Sequence, residues 1–499
     1  MPDAPQLSRR SLVATALTAP VRPSPAAAYL SGDARLHLLR RATYGPTPAS
    51  LSELTRLGTT AWLDRQLRPH TIADTLHDRY AAQWGPQDTP VAQVRARQDS
   101  GGSAGGEDLF EVPCAHISRA VWSNRQLQAV LEDFWSNHFN VTSPSGGIDA
   151  TRAHYAATLR RHALGTFSDL LVELTRHPAM LTYLDNRSST PAAPNENHGR
   201  ELLELHTVGV GAYGEADVLA STRILTGLSV EDRTDEYRFK PWDHWVGPVQ
   251  LLGFSHDNAT PEGGHDVAEA YLRHLAMHPA TARHVVTKLC RHFVSDSPPQ
   301  SLVRSLTQAW LRNGSAIAPL LRQLFTSREF AASVGHKVRR PYESVAATVR
   351  LLGLGPDREG YEGARELVWQ SRFSGHGPLE WHAPDGYPDV AAAWASAGGT
   401  LARWNTTIDL VAGWWPRTLV HPPLTSLLPR RRPTTHGALV DALALRLFWR
   451  KVSGPHRDAA CGLLGVTPAT PLRPGDAALT WQLPHLVALL LDSPYHGYR

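Results

Sequence analysis

Lysine is nearly missing from this 499-residue chain. Only Lys240, Lys288, Lys337 and Lys451 occur, and the rest of its 50 basic side chains are arginine. Set against 46 acidic residues, they leave a formal net charge of +4. So mild a bias argues against the dense basic stripes of a nucleic-acid-binding protein. Cysteine is equally scarce. Cys114, Cys290 and Cys461 lie far apart and form no CxxC pair. This spacing argues against a zinc–thiolate site or a disulfide framework and leaves room for one long-range bridge at most. The three read as small buried apolar residues. No apolar run reaches about 18 residues, so no transmembrane helix is expected. Also missing are the G-x-S-x-G elbow of serine hydrolases, a Walker loop and a G-x-G-x-x-G fingerprint.

What is present is ordinary for a folded chain: 42% hydrophobic and 19% charged residues. The length suits one large core or two to three domains. The first 28 residues differ from the rest. Ser8-Arg9-Arg10-Ser11-Leu12 opens a mildly apolar stretch to Val21, and Pro23-Ser24-Pro25-Ala26-Ala27-Ala28 follows. A basic start, an apolar stretch and small residues describe an export leader over 1–28, and the pair Arg9-Arg10 suits the twin-arginine route.

From Asp33 onward the pattern is helical, with apolar residues at three- and four-residue spacing. A Gly-rich loop is expected at 99–107 and one long helix from Ala115 to His138. Further helices are expected at 149–163, 166–176, 195–208, 216–227, 265–277, 279–294, 299–312, 316–326 and 338–353. The exception is 237–254, where Tyr237-Arg238-Phe239-Lys240 and Val249-Gln250-Leu251-Leu252 could pair as short strands. The C-terminal subregion, about 370–495, reads as looser, with Pro-rich joints at 415–433 and helices near 436–450 and 476–491. The fold expected is therefore all-α: one large multi-helical domain over 33–495 with a minor hairpin region.

Six segments stand out in order. They are His37–Thr47; Phe134-Trp135-Ser136-Asn137-His138-Phe139; His177-Pro178-Ala179-Met180-Leu181 with Tyr183-Leu184-Asp185-Asn186; Asn195-Glu196-Asn197 through Arg200-Glu201-Leu202-Leu203-Glu204-Leu205-His206-Thr207; His278–Arg283; and Pro384-Asp385-Gly386-Tyr387-Pro388. Together they resemble the bacterial domain-of-unknown-function 1800 family over about residues 33–495. The resemblance implies export and an alkaline-phosphatase-like exported partner protein. It implies no established reaction, so the chemistry must come from the residues.

On an ideal helix over 195–208, Glu196, Asn197, Arg200, Glu201, Glu204 and Thr207 share one side, and Leu202, Leu203, Leu205 and His206 the other. Glu196–Arg200 and Arg200–Glu204 are i,i+4 pairs of opposite charge, which by themselves describe a solvated ladder. The sharper reading is a pocket. In it Glu201, Glu204 and His138 carry catalysis, and Asp185, Asn186, Asn195, Glu196, Asn197 and Arg200 bind substrate. Paired carboxylates serve as general acid and base, or as ligands of a hard metal. Glu201 and Glu204 lie about 140–160° from His206 around the helix, so the three cannot share one metal unless the helix breaks. His206 among leucines reads as a core residue. Trp242, Trp245, Trp381, Tyr387, Trp394, Trp404, Trp414 and Trp415 fill either a core or sugar-stacking platforms.

Three functions follow. The leading one is an exported hydrolase acting on envelope or environmental glycans. The second is a haem- or metal-dependent oxidoreductase, from the faint peroxidase-like order Asp185-x-Arg187, Asn195-Glu196-Asn197, Leu205-His206-Thr207. The third is a non-catalytic envelope scaffold or binding protein. Neither metal nor cofactor can be named from the residues.

Overall fold

The Gln126–His138 helix is buried nearly all round. Leu127, Val130, Leu131, Phe134 and Trp135 recur at helical spacing, and each is at most 6% exposed. It packs against the Gly106–Trp122 and Arg152–His162 helices. Trp135 Nε1 donates to the carbonyl of Ala163 at 3.0 Å, so the indole is buried without an orphaned donor. The computed structural model describes residues 24–84, 89–100, 106–143 and 147–499. The leader up to residue 23 and positions 101–105 of the Gly-rich loop lie outside the described residues.

The all-α expectation holds. Helices supply nearly all the regular structure, and the described sheets are two hairpins of three-residue strands. The long helix expected over Ala115–His138 is instead two, broken after Trp122. The break is held by side chains. Gln126 Nε2 donates to the carbonyl of Ala120, in the last turn of the first helix, and to that of Ser123 just beyond it. Asp74 accepts from the Ser123 hydroxyl and the Asn124 amide.

The strand pairing also differs from expectation. Tyr237–Phe239 pairs with Leu228–Val230, and Val249–Leu251 pairs with Phe254–His256. The reason is local. Leu252 and Gly253 both have positive φ, 47° and 81°, the signature of a two-residue type I′ turn that closes the second hairpin on itself. In the C-terminal part, the helices Glu362–Phe373, Ala397–Ala412 and Gly454–Leu463 stand where looser chain was expected, and the last long helix begins only at Leu483. One continuous hydrophobic cluster runs from Leu38 to Tyr495. The chain end is tied back, with Arg499 N donating to Lys337 O and Arg339 N to Gly497 O. All three cysteines are buried and unpaired.

The central helix brings Glu132 and Asp133 into the core, where an unpaired charge would be very costly. Arg119 grips Glu132 through Nε and Nη2, at 2.9 and 2.5 Å. Arg340 holds Asp133 at 2.5 Å and Glu343 at 2.9 Å, and Arg499 meets Glu343 at 2.9 Å. His116 sits between Glu132 and Asp133, at 3.6 and 3.5 Å. Burial alone would lower its pKa, but the two carboxylates raise it. The same logic holds Glu132 at about 2: burial pushes it up, and Arg119 and His116 bring it down further.

Candidate functional site

The expected 195–208 helix breaks. It is α-helical over Glu196–Glu201 and continues as one π turn over Leu202–His206. Such turns leave carbonyls without their usual partners. Two histidines from other helices supply them. His138 Nε2 lies 3.1 Å from the carbonyl oxygen of His206, and His284 Nε2 lies 3.3 Å from that of Leu205. Thr207 Oγ1 donates to Leu202 O, and Gly209 N to Leu203 O. Gly209 has φ +83°, and a Cβ there would sit 2.6 Å from His284 Nδ1, so only glycine fits. Burial depresses the pKa of His138 and His206 well below the usual range, and that of His284 to about 4. These rings are neutral parts of the frame.

His138, expected at a pocket mouth, is therefore beneath the π turn and 1% exposed. Several other expected site residues are also structural. Asn186 is buried and donates to the carbonyls of Leu225 and Leu228 at 3.0 and 2.8 Å. Asp185 is exposed in a left-handed conformation that starts the Asn186–Ser188 turn. Asn195 caps the Glu196–Glu201 helix by accepting from Asn197 N at 3.0 Å. Arg200 pairs with Glu196 and Glu215 at the surface. That part is the solvated ladder, but its expected next rung does not form: Glu204 instead accepts the Tyr213 hydroxyl at 2.5 Å. The peroxidase-like order is not gathered into one site either, because Arg187 pairs with Asp232 and His206 is enclosed.

What remains together is Glu201 and Glu204, both half-buried. Burial raises the Glu201 pKa, and the charges of Glu204 and Asp385 add to the effect. Tyr183 feels the same carboxylates: burial first, then Glu201 and Asp385, push its phenol up to about 12. Lys288, one turn along from His284, has its ammonium pulled down to about 8 by burial and by Arg291. Among the described residues, no hydrogen bond or ion pair holds its Nζ.

The loop carrying Asp385 is pinned over this patch. Asn140 Nδ2 donates to the carbonyls of Trp381 and Ala383, and Tyr183 Oη to that of His382. Tyr387 N donates to Asn137 Oδ1 at 3.0 Å. At Gly386, φ +74°, any Cβ would overlap the Asn137 carbonyl. Asp389, just beyond, takes Lys337 and His292 at 2.8 and 2.7 Å. Trp381 Nε1 donates to Asp385 Oδ1 at 2.7 Å, which sets an indole beside the carboxylates.

Sequence reasoning missed Tyr213, Lys288 and Asp385 as site residues. Lys288 carried a signal, as one of four lysines in an arginine-rich chain, and Asp385 lies in a segment already singled out. Tyr213 carried none, because its partner follows from the π turn. A cavity of about 950 Å³ lies elsewhere, on the Glu132 side of the central helix beside Asp74 and His77. None of the expected site residues lines it.

Four of the six marker segments, those at 134–139, 177–186, 195–207 and 384–388, supply residues to this patch in an all-helical frame. A family model described as protein of unknown function, DUF1800, matches residues 37–496, and the chain belongs to that family. Neither curated proteins nor solved structures give a match. Among the described residues, no helix is long and apolar enough to cross a membrane.

Proposed function

We propose that the chain is an exported hydrolase of envelope or environmental glycans, with Glu201 as general acid and Glu204 as its carboxylate partner. The observation that carries this reading is the pair's unequal setting. Glu201 is half-buried with a raised pKa, and Glu204 is oriented by the Tyr213 hydroxyl. Two neighbouring carboxyl groups in different environments can divide acid and base roles between them. Trp381, Tyr183 and Tyr213, all partly exposed, add aromatic side chains to the patch, and aromatic rings suit a sugar. His138 acts on the pair only by holding the π turn that presents Glu204.

Export by the twin-arginine route rests on Arg9-Arg10 and the apolar stretch after them. The end of that leader meets the fold: Pro25–Tyr29 forms a 3-10 turn in which Ala26 is buried, and Tyr29 packs edge-on to Tyr495 at 5.4 Å. Cleavage before Pro25 preserves these contacts. Mass spectrometry of the exported chain is expected to find its N-terminus at or before Pro25.

The function is tested by incubating the wild-type chain with peptidoglycan and a set of polysaccharides and measuring release of reducing ends. Turnover of one of them that is lost in Glu204→Gln supports the reading. No release from any, or equal release by Glu204→Gln, rejects it.

A further inference from the structure

The Thr75–Ala81 helix carries a second polar cluster, away from Glu201. His77 is 5% exposed, and its Nε2 lies 3.1 Å from Ser118 Oγ. That hydroxyl donates to the carbonyl of Ala115 at 2.8 Å, so it offers the ring only lone pairs. Nε2 therefore carries the proton and Nδ1 a bare lone pair. Nδ1 makes no hydrogen bond among the described residues. It faces Asp74 Oδ2 at 3.9 Å and Asp78 Oδ1 at 4.0 Å. Asp74 is held in place: Oδ1 accepts Asn124 N at 2.6 Å, and Oδ2, the oxygen nearest His77, accepts the Ser123 hydroxyl at 2.5 Å. Three electron-pair donors thus lie within 4.8 Å of one another without a proton between them. One of them is the Nδ1 of a histidine that is 5% exposed as a residue, with the other two 3.9 and 4.0 Å away.

We propose that Asp74, His77 and Asp78 bind a divalent transition cation, with its remaining positions open to the 950 Å³ cavity. One imidazole nitrogen and two carboxylate oxygens are a donor set for zinc, manganese or ferrous iron. Metal–ligand bonds of about 2.0–2.2 Å put neighbouring ligand atoms roughly 3.3–3.6 Å apart. The two contacts of Nδ1, at 3.9 and 4.0 Å, need to shorten by about 0.3–0.7 Å and the two carboxylates, within 4.8 Å of each other, by up to about 1.5 Å, a movement that exposed Asp78 can supply. Ser118 fixes the ring's orientation and tautomer, as the partner of a metal-binding histidine does. Arg125 Nη2 now sits 3.7 Å from Asp78 Oδ2 and swings aside when the cation binds. Arg125 and Arg161 line the same cavity, so an oxyanion, phosphate or carboxylate, suits the open coordination positions.

The test uses the full chain freed of metal with a chelator, then titrated with Zn2+ by calorimetry and with Co2+ by visible absorption. The expected result is one saturable site of micromolar affinity or tighter, with Co2+ d–d bands. Asp78→Asn weakens it at least tenfold, and His77→Gln abolishes the bands. Asp78 is exposed, so that variant keeps its fold and decides the matter even if His77→Gln does not fold. Glu201→Gln binds metal as the wild type does, which separates this site from the proposed hydrolase. Absence of saturable binding, or binding unchanged in Asp78→Asn, overturns the proposal and leaves water between these groups.

Discussion

His138 Nε2 holds the carbonyl oxygen of His206 at 3.1 Å, joining the end of the central helix to the π turn that carries Glu204. The bond assigns His138 to the frame. His138→Ala removes a buried ring and leaves that carbonyl unpaired. Thermal and urea unfolding are expected to show a loss of about 2–4 kcal/mol. An unchanged midpoint would mean that the π turn stands without it.

Gly209 is the companion constraint. Gly209→Ala places a methyl group against His284 and forces a non-glycine residue to φ +83°. The expected cost is about 1–3 kcal/mol. The Pro279–Phe293 helix must shift if the variant folds at all. Loss of the His284 contact is read from that ring's NMR signals.

The buried charge chain gives a larger effect. Glu343 lies between Arg340 and Arg499, all nearly inaccessible to water. Glu343→Gln takes the carboxylate from Arg499 and leaves Arg340 with Asp133 alone, and it is expected to cost about 3–5 kcal/mol by denaturant unfolding. Glu196→Gln, at the exposed ladder, is expected to cost less than about 1 kcal/mol.

Asp492 supplies a pH test. Burial raises its carboxyl to about 7, with Thr407 and Arg403 partly opposing. Its folded pKa lies above the unfolded one, so the folded chain holds this proton more tightly. The stability it contributes is complete below about pH 4 and is lost as the pH rises through about 7. Asp492→Asn is expected to be more stable than wild type at pH 8 by about 1 kcal/mol or more, and less so or not at all at pH 4. Parallel melting curves at the two pH values check the sign.

Much of the fold was legible because helical periodicity survives in the sequence. The 264–277, 279–293, 300–312 and 317–325 helices lie within about a residue of the expected bounds. The break at Ser123 and the π turn at Leu202 were not legible, because each is fixed by distant side chains, Asp74 in one case and His138 and His284 in the other. The site was legible in the same uneven way. Glu201 and Glu204 could be singled out as a pair by their spacing. By contrast Asn186, Asn195 and Arg200 are polar for local reasons: holding two carbonyls, capping a helix, and pairing at the surface. No pattern in one chain distinguishes those duties from ligand binding.

In the proposed reaction Glu201 delivers a proton to a departing sugar oxygen. That transfer is tested most directly by comparing wild type with Glu201→Gln on two substrates. One is the glycan that the wild type cleaves, and the other an aryl glycoside of the same sugar, whose phenolate leaves without a proton. The variant is expected to keep its melting temperature and to lose roughly 100-fold or more in kcat on the glycan, with little loss on the aryl glycoside. Equal kcat for variant and wild type on the glycan would contradict this role of Glu201.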